Sequence, residues 1–176
     1  MKKTLFLGLL NLLLIIAGCK QNDSNNMARK TGNTNQKESM IEANSVLVDR
    51  DAELIESYVE RRGWTMEVST TGLWYMIYKE TAGIKARQGM RATIHYRVEL
   101  LDGTLCYDSG TRQPKTFKIG QGGVESGLEQ GILMMREGER AKFIMAPYLA
   151  HGLLGDENKI PPRAIIVYDV HLTELK

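Results

Sequence analysis

Cysteine is almost missing from this chain: its 176 residues contain only Cys19 and Cys106. Cys19 ends an N-terminal apolar run, so Cys106 has no partner, and no intrachain disulfide is expected. His95, His151 and His171 lack metal-ligand spacing, and with Cys106 they make no zinc signature. Charge of one sign is missing too: 23 basic and 21 acidic side chains leave no basic footprint for nucleic acid. No nucleophile is paired with a base. The glycine cluster at Gly120 is not followed by the Lys-Ser/Thr of a phosphate loop, and a dinucleotide pattern is broken at Glu125. Covalent, metal and nucleotide chemistry are therefore not expected. Cys106 reads either as a small buried hydrophobe or as a reactive thiol, and a reactive thiol needs an electropositive neighbourhood the sequence does not display.

Long apolar runs are confined to one place. Lys2 and Lys3 precede the stretch Leu5–Ile16, which ends in Ala17, Gly18 and Cys19. A basic start, an apolar segment too short to span a bilayer comfortably, and small residues before a cut describe a secretory signal. Ile16-Ala17-Gly18-Cys19 resembles the lipobox of bacterial lipoproteins. That resemblance implies cleavage before Cys19, its lipidation, and membrane attachment through several acyl chains, each adding about 0.8 kcal/mol per buried methylene. From Lys20 to about Ser45 the chain is rich in Asn, Lys, Ser, Thr and Gln, and reads as a flexible tether with a reach of roughly 25–30 Å.

What remains carries the pattern of a folded α+β domain. A short amphipathic helix is expected from an Asp49 cap through Leu54, Ile55, Tyr58 and Val59 to Gly63. It either covers a sheet face or supports a weak dimer, being too short for a coiled-coil seam. Trp64–Val68 and Leu73–Tyr78 read as extended around a Thr71-Gly72 turn, the second with both faces apolar. Arg91–Leu101 is the clearest strand, with Ala92, Ile94, Tyr96, Val98 and Leu100 on one face. Asp102-Gly103 turns it into a returning strand through Tyr107, and Phe117 and Ile119 follow a polar loop. Leu128, Ile132 and Met135 form one helical stripe that stops at Gly138. Gly127 and Gly131 weaken that helix by about 1 kcal/mol each, which close approach of a surrounding sheet would explain. Ala141–Met145 and Ile166–Leu172 alternate as strands, separated by a long loop from Pro147 to Pro162.

An ordered set of short motifs runs through this pattern. His95-Tyr96, Asp102-Gly103-Thr104, Tyr107-Asp108-Ser109, Gly127-Leu128, Glu137-Gly138-Glu139 and Ile160-Pro161-Pro162 resemble, in that order, FK506-binding-protein (FKBP)-type peptidyl-prolyl isomerases. The resemblance runs from about Gly72 to Lys176. It implies a curved antiparallel sheet, an FKBP-like half-barrel, wrapped around one short helix. With the N-terminal pattern, the lipobox and the tether composition, the expected division is a signal peptide (1–18), a lipidated tether (19–45), a helical and extended extension (46–71) and an isomerase domain (72–176). The last alone is set by this resemblance. The resemblance also implies proline-containing polypeptides as substrates, no cofactor, and, with the lipobox, a place in the bacterial cell envelope, outer membrane and periplasm-facing. Tyr96, Tyr107, Phe117 and Tyr168 would be aromatic walls, Asp108 the carboxylate inside the pocket, and Ile160 the apolar tip of the long loop. Val124 and Glu125 match the helix entrance, where the second residue's backbone N–H would bind a substrate carbonyl. Leu128 stands where the family has a Trp floor, and His151 where it has a hydroxyl-donating rim Tyr. The hairpin is one residue longer than usual, which leaves Cys106 and Tyr107 competing for one wall position.

Overall fold

The computed structural model describes residues 24–110 and 112–176, with side chains from residue 37 onward. The expected signal peptide and Cys19 lie outside the described residues. The chain falls into two units, Met1–Glu42 and Ala43–Lys176.

Seven strands make one curved, unclosed antiparallel sheet. They are β1 (Glu67–Val68), β2 (Trp74–Lys79), β3 (Arg91–Leu100), β4 (Leu105–Asp108), β5 (Lys115–Lys118), β6 (Arg140–Met145) and β7 (Ile166–Leu175). Their order is β1-β2-β6-β7-β3-β4, with β5 also on β3. Along one edge of β3, β5 takes Arg91–Ile94 and β4 takes Arg97–Glu99. The polar loop between β4 and β5 therefore lets one long strand support two short ones.

Alternation sends the apolar side of each strand to a common inner core. Ala92, Ile94 and Val98 of β3, Phe117 of β5, Ala141 and Phe143 of β6, and Tyr168, Val170 and Leu172 of β7 are all buried there. Helix α2 (Ser126–Met134) fills the concavity with Leu128 and Ile132, both fully buried. Its two glycines are where the sheet comes closest. A Cβ on Gly127 would stand 2.8 Å from Met145 Sδ, and one on Gly131 would stand 2.6 Å from the Phe143 ring. Close approach thus accounts for both poor helix formers, as the sequence suggested.

The other face of the sheet is covered by the last turns of helix α1 (Ser24–Arg62). Ile55, Tyr58 and Val59 pack on Ile144, Ala146, Ile165 and Val167, with Trp64, Met66 and Trp74 at the edge. Burying Ile55 and Val59 contributes about 1.5–3 kcal/mol each. Of the two roles open to this helix, covering the sheet is the one observed. The helix closes at Gly63, where Trp64 N–H donates to Val59 O at 3.1 Å.

Two details of α1 differ from expectation. Leu54 is 46% exposed and lies off the buried stripe. The helix also starts at Ser24, not at Asp49, so the flexible tether expected over 19–45 is helical from Ser24 onward. Polar composition argues against a core, not against an exposed helix. The Lys, Glu, Gln, Met and Ala of this stretch are fair helix formers, and residues 37–46 are all exposed.

Candidate functional site

The expected aromatic residues all belong to the inner core cluster or pack against it. Phe117 and Tyr168 are buried, and Tyr96 and Tyr107 are half-buried against the same cluster. The Tyr96 and Tyr168 rings are 6.0 Å apart and tilted by 39°. Leu128 lies in the same cluster, fully buried, with Val124 partly buried beside it. Ile160 is buried in the core as well, only 3% exposed, so the long loop turns its apolar residue inward.

Register explains how the longer hairpin is absorbed. Val98 pairs with Tyr107 and Glu99 with Leu105, so Cys106 is the residue the bulge skips. Both contested side chains then pack on the inner core. Tyr107 is half-buried, while Cys106 is 1% exposed with its Sγ near the carbonyls of Thr104 and Lys159. Burial pushes the Cys106 thiol up, which is the signature of an inert cysteine.

The same register sets Asp108 opposite Arg97. Its carboxylate accepts the Gly110 N–H at 2.6 Å, and Oδ2 stands 3.8 Å from Arg97 Nη1. Asp108 thus lies beside a depression of about 300 Å³ that it shares with Tyr96, His95, Arg140 and His171. Ser109, which the sequence did not single out, is buried there and accepts the Tyr96 N–H at 2.8 Å.

A different carboxylate reaches the aromatic cup. Glu125 caps the start of α2 with extended backbone (φ −59°, ψ 142°), and its side chain turns inward. The Tyr168 hydroxyl donates to Glu125 Oε1 at 2.9 Å. Burial first, and then the Glu125 charge, raise the Tyr168 pKa well above the tyrosine range, so this hydroxyl stays a donor. His151 Nε2 is also 2.9 Å from Oε1, close enough for an ion pair but outside hydrogen-bond geometry. Glu125, His151 and Tyr168 are therefore one group. Among the described residues no acceptor takes the Glu125 backbone N–H, which leaves that donor available.

Two further carboxylates hold the frame. Glu129 Oε1 accepts the N–H groups of Gly120 and Gly122 at 3.2 and 3.1 Å, folding the glycine cluster onto α2. Asp156 organises the long loop: Oδ1 accepts Asn158 and Ile160 N–H at 3.0 and 2.7 Å, and Oδ2 accepts the Tyr107 hydroxyl. Burial pushes the Asp156 pKa up, but these hydrogen bonds outweigh it and bring the group down to about 2. The only signal for Asp156 in the sequence was its place in Gly155-Asp156-Glu157-Asn158, a turn-forming run. Among the described residues no three His, Cys, Asp or Glu side chains surround one point as metal ligands would.

The comparisons with known proteins converge on this architecture. Residues 82–173 match the family described as FKBP-type peptidyl-prolyl cis-trans isomerase. FK506-binding protein 1 of Dictyostelium discoideum is 35% identical over 106 residues, which is 60% of this chain and 99% of that protein. Fkbp12, a peptidyl-prolyl cis-trans isomerase of Drosophila melanogaster, is 37% identical over 92 residues, 51% of this chain and 84% of its own. The crystal structure of AtFKBP13 superposes with a TM-score of 0.60 at 28% identity, covering 64% of this chain and 99% of that one. FkpA from Escherichia coli gives 0.64 over 90% of this chain and 74% of its own, and at 23% identity it speaks for the fold alone. The aromatic cup over α2 and the matched residues lead to one conclusion: this chain belongs to the FKBP-type peptidyl-prolyl cis-trans isomerases.

Proposed function

We propose that this isomerase acts in the bacterial cell envelope, anchored through a lipidated Cys19, on Xaa-Pro bonds of envelope proteins as they fold. The observation that carries the reading of the site is that Tyr96, Tyr107, Phe117 and Tyr168, from four strands, share one core cluster with Leu128 and Val124, next to a Glu125 N–H that no described acceptor takes. Rotation about an Xaa-Pro amide must break its resonance, against a barrier of about 18–20 kcal/mol. At the twisted geometry the carbonyl is less polar and depends less on water. A dry aromatic cup that takes the proline ring favours that state over the planar one. The Glu125 N–H holds a neighbouring substrate carbonyl while the bond turns, a fixed dipole that needs no reorganisation. No proton changes hands, which suits a site without an activated nucleophile.

A second reading is supported by the same residues. Leu128 offers the proline ring no aromatic floor, and Glu125 with His151 makes the rim polar. On that reading the cup holds proline-containing segments and turns them over poorly, as a chaperone-like lipoprotein or a component of an envelope assembly. Refolding of a proline-limited protein, with and without a macrolide inhibitor, separates the two. Acceleration that the inhibitor abolishes supports the isomerase of envelope folding. Macrolide or peptide binding without acceleration supports the binding module. For the anchor, the supporting observation is the lipobox-like Ile16-Ala17-Gly18-Cys19 after an apolar run.

A further inference from the structure

Glu125 and His151 hold two of the three buried side-chain polar atoms that have no hydrogen bond among the described residues, the third being the Tyr58 hydroxyl. The Glu125 side chain is only 9% exposed, yet its Oε2 is buried without a hydrogen bond, and so is His151 Nε2. Buried polar atoms are normally satisfied, and an acceptor left bare is destabilising unless something completes it. Tyr168 serves Oε1 alone. The cations closest to the aromatic wall do not serve Oε2. Arg112 and Lys159 stack on Tyr107 at 4.8 and 5.6 Å, on the strand whose tyrosine bonds Asp156.

Position matters as much as charge. The bare oxygen hangs from the same residue whose N–H is free to hold a substrate carbonyl, so it lies within one side-chain length of the bound peptide unit. His151 is the more exposed of the pair at 25%, so its ring is the partner that solvent or a ligand can reach. We propose that Glu125 is a specificity-determining residue that selects prolines flanked by Lys or Arg and disfavours prolines flanked by Asp or Glu. A flanking cation supplies the donor that Oε2 lacks, displacing the His151 ring. A flanking anion meets a like charge in a site too dry to screen it. This rests on the isomerase reading of the cup and adds the substrate class to it.

The test uses the full chain and two peptide series, Ala-Xaa-Pro-Phe and Ala-Ala-Pro-Xaa, with Xaa as Leu, Lys or Glu. Protease-free measurement of kcat/KM gives turnover, and calorimetry gives binding. Lys is expected to exceed Glu by about tenfold in one series, the size of one partly buried charge pair. Glu125→Gln, nearly isosteric, is expected to bring that ratio within about twofold. Tyr168→Phe, which removes only a donor, is expected to keep it. Equal values for Lys and Glu in the unmodified chain overturn the proposal, as does a ratio that survives Glu125→Gln. If Glu125 only braces the start of α2, Glu125→Gln lowers the melting temperature and leaves no charge discrimination to lose. Should no peptide turn over, the isomerase reading fails, while the calorimetric ratio still decides the role of Glu125.

Discussion

A methyl group at Gly131 would meet the Phe143 ring at 2.6 Å, inside any van der Waals limit. Alanine in a helix interior ordinarily gains about 1 kcal/mol over glycine. Here the clash decides the sign, because Phe143 is fully buried and has nowhere to move. Gly131→Ala is expected to lower stability by about 1–3 kcal/mol in urea unfolding, the range for overpacked cores. A stabilised variant would show that the sheet can retreat from α2. Leu128 poses the opposite question at the same helix. It is fully buried, and tryptophan there adds aromatic surface below the cup at the risk of overpacking. Leu128→Trp is expected to tighten proline-peptide binding by on the order of 1 kcal/mol, at about 25 cal/mol per Å² of added contact. Melting curves separate that gain from strain. A stable variant with unchanged binding would assign Leu128 to ordinary core.

At the scale of elements, the loop between β6 and β7 is held chiefly by one side chain. Asp156 bonds Asn158 and Ile160 within the loop and Tyr107 on β4, so it fixes both Ile160 and one aromatic wall. Its folded pKa of about 2 lies below the unfolded carboxylate value of about 3.9. A depressed pKa contributes stability that is present above the unfolded value and lost as pH falls through the folded one. Asp156→Asn is therefore expected to lower the melting temperature at neutral pH, and to flatten its decline between about pH 4 and pH 2. Parallel curves for the two proteins would mean that Asp156 is not the titrating brace. Elements were legible in the sequence wherever one face was buried. The alternation in β3 and the stripe of α2 both follow from a core that the pattern itself describes. What escaped was set by local geometry. The bulge at Cys106 follows from turn and register, Asp156 from a loop without periodicity, and the start of α1 from an exposed segment whose composition is silent about helix. Matching Glu125 to a backbone role concealed its side chain, which bonds Tyr168 forty-three residues away.

At the scale of the whole molecule, the folded unit Ala43–Lys176 and the proposed anchor at Cys19 are separate in sequence. Among the described residues, those of α1 buried in the outer core are Ile55, Tyr58 and Val59, and Asp51 adds an ion pair with Arg163 at 3.1 Å. A chain beginning at Ala43 is therefore expected to melt within about 2 °C of the full chain, since less than 0.5 kcal/mol is at stake in exposed helix. One beginning at Leu54 loses the buried Asp51 and should melt lower. The proposed envelope location rests on the lipobox-like Ile16-Ala17-Gly18-Cys19. Cys19→Ser removes the thiol that the lipobox reading requires, at a position outside the unit Ala43–Lys176. The variant is expected to leave the membrane pellet for the soluble fraction, with an unchanged melting temperature and unchanged peptide turnover. Because one acyl chain binds only marginally and several bind stably, partial release would indicate incomplete acylation. A Cys19→Ser protein that stays in the pellet after its signal has been removed would place the anchor elsewhere in the chain, and the envelope-lipoprotein reading would lose its support.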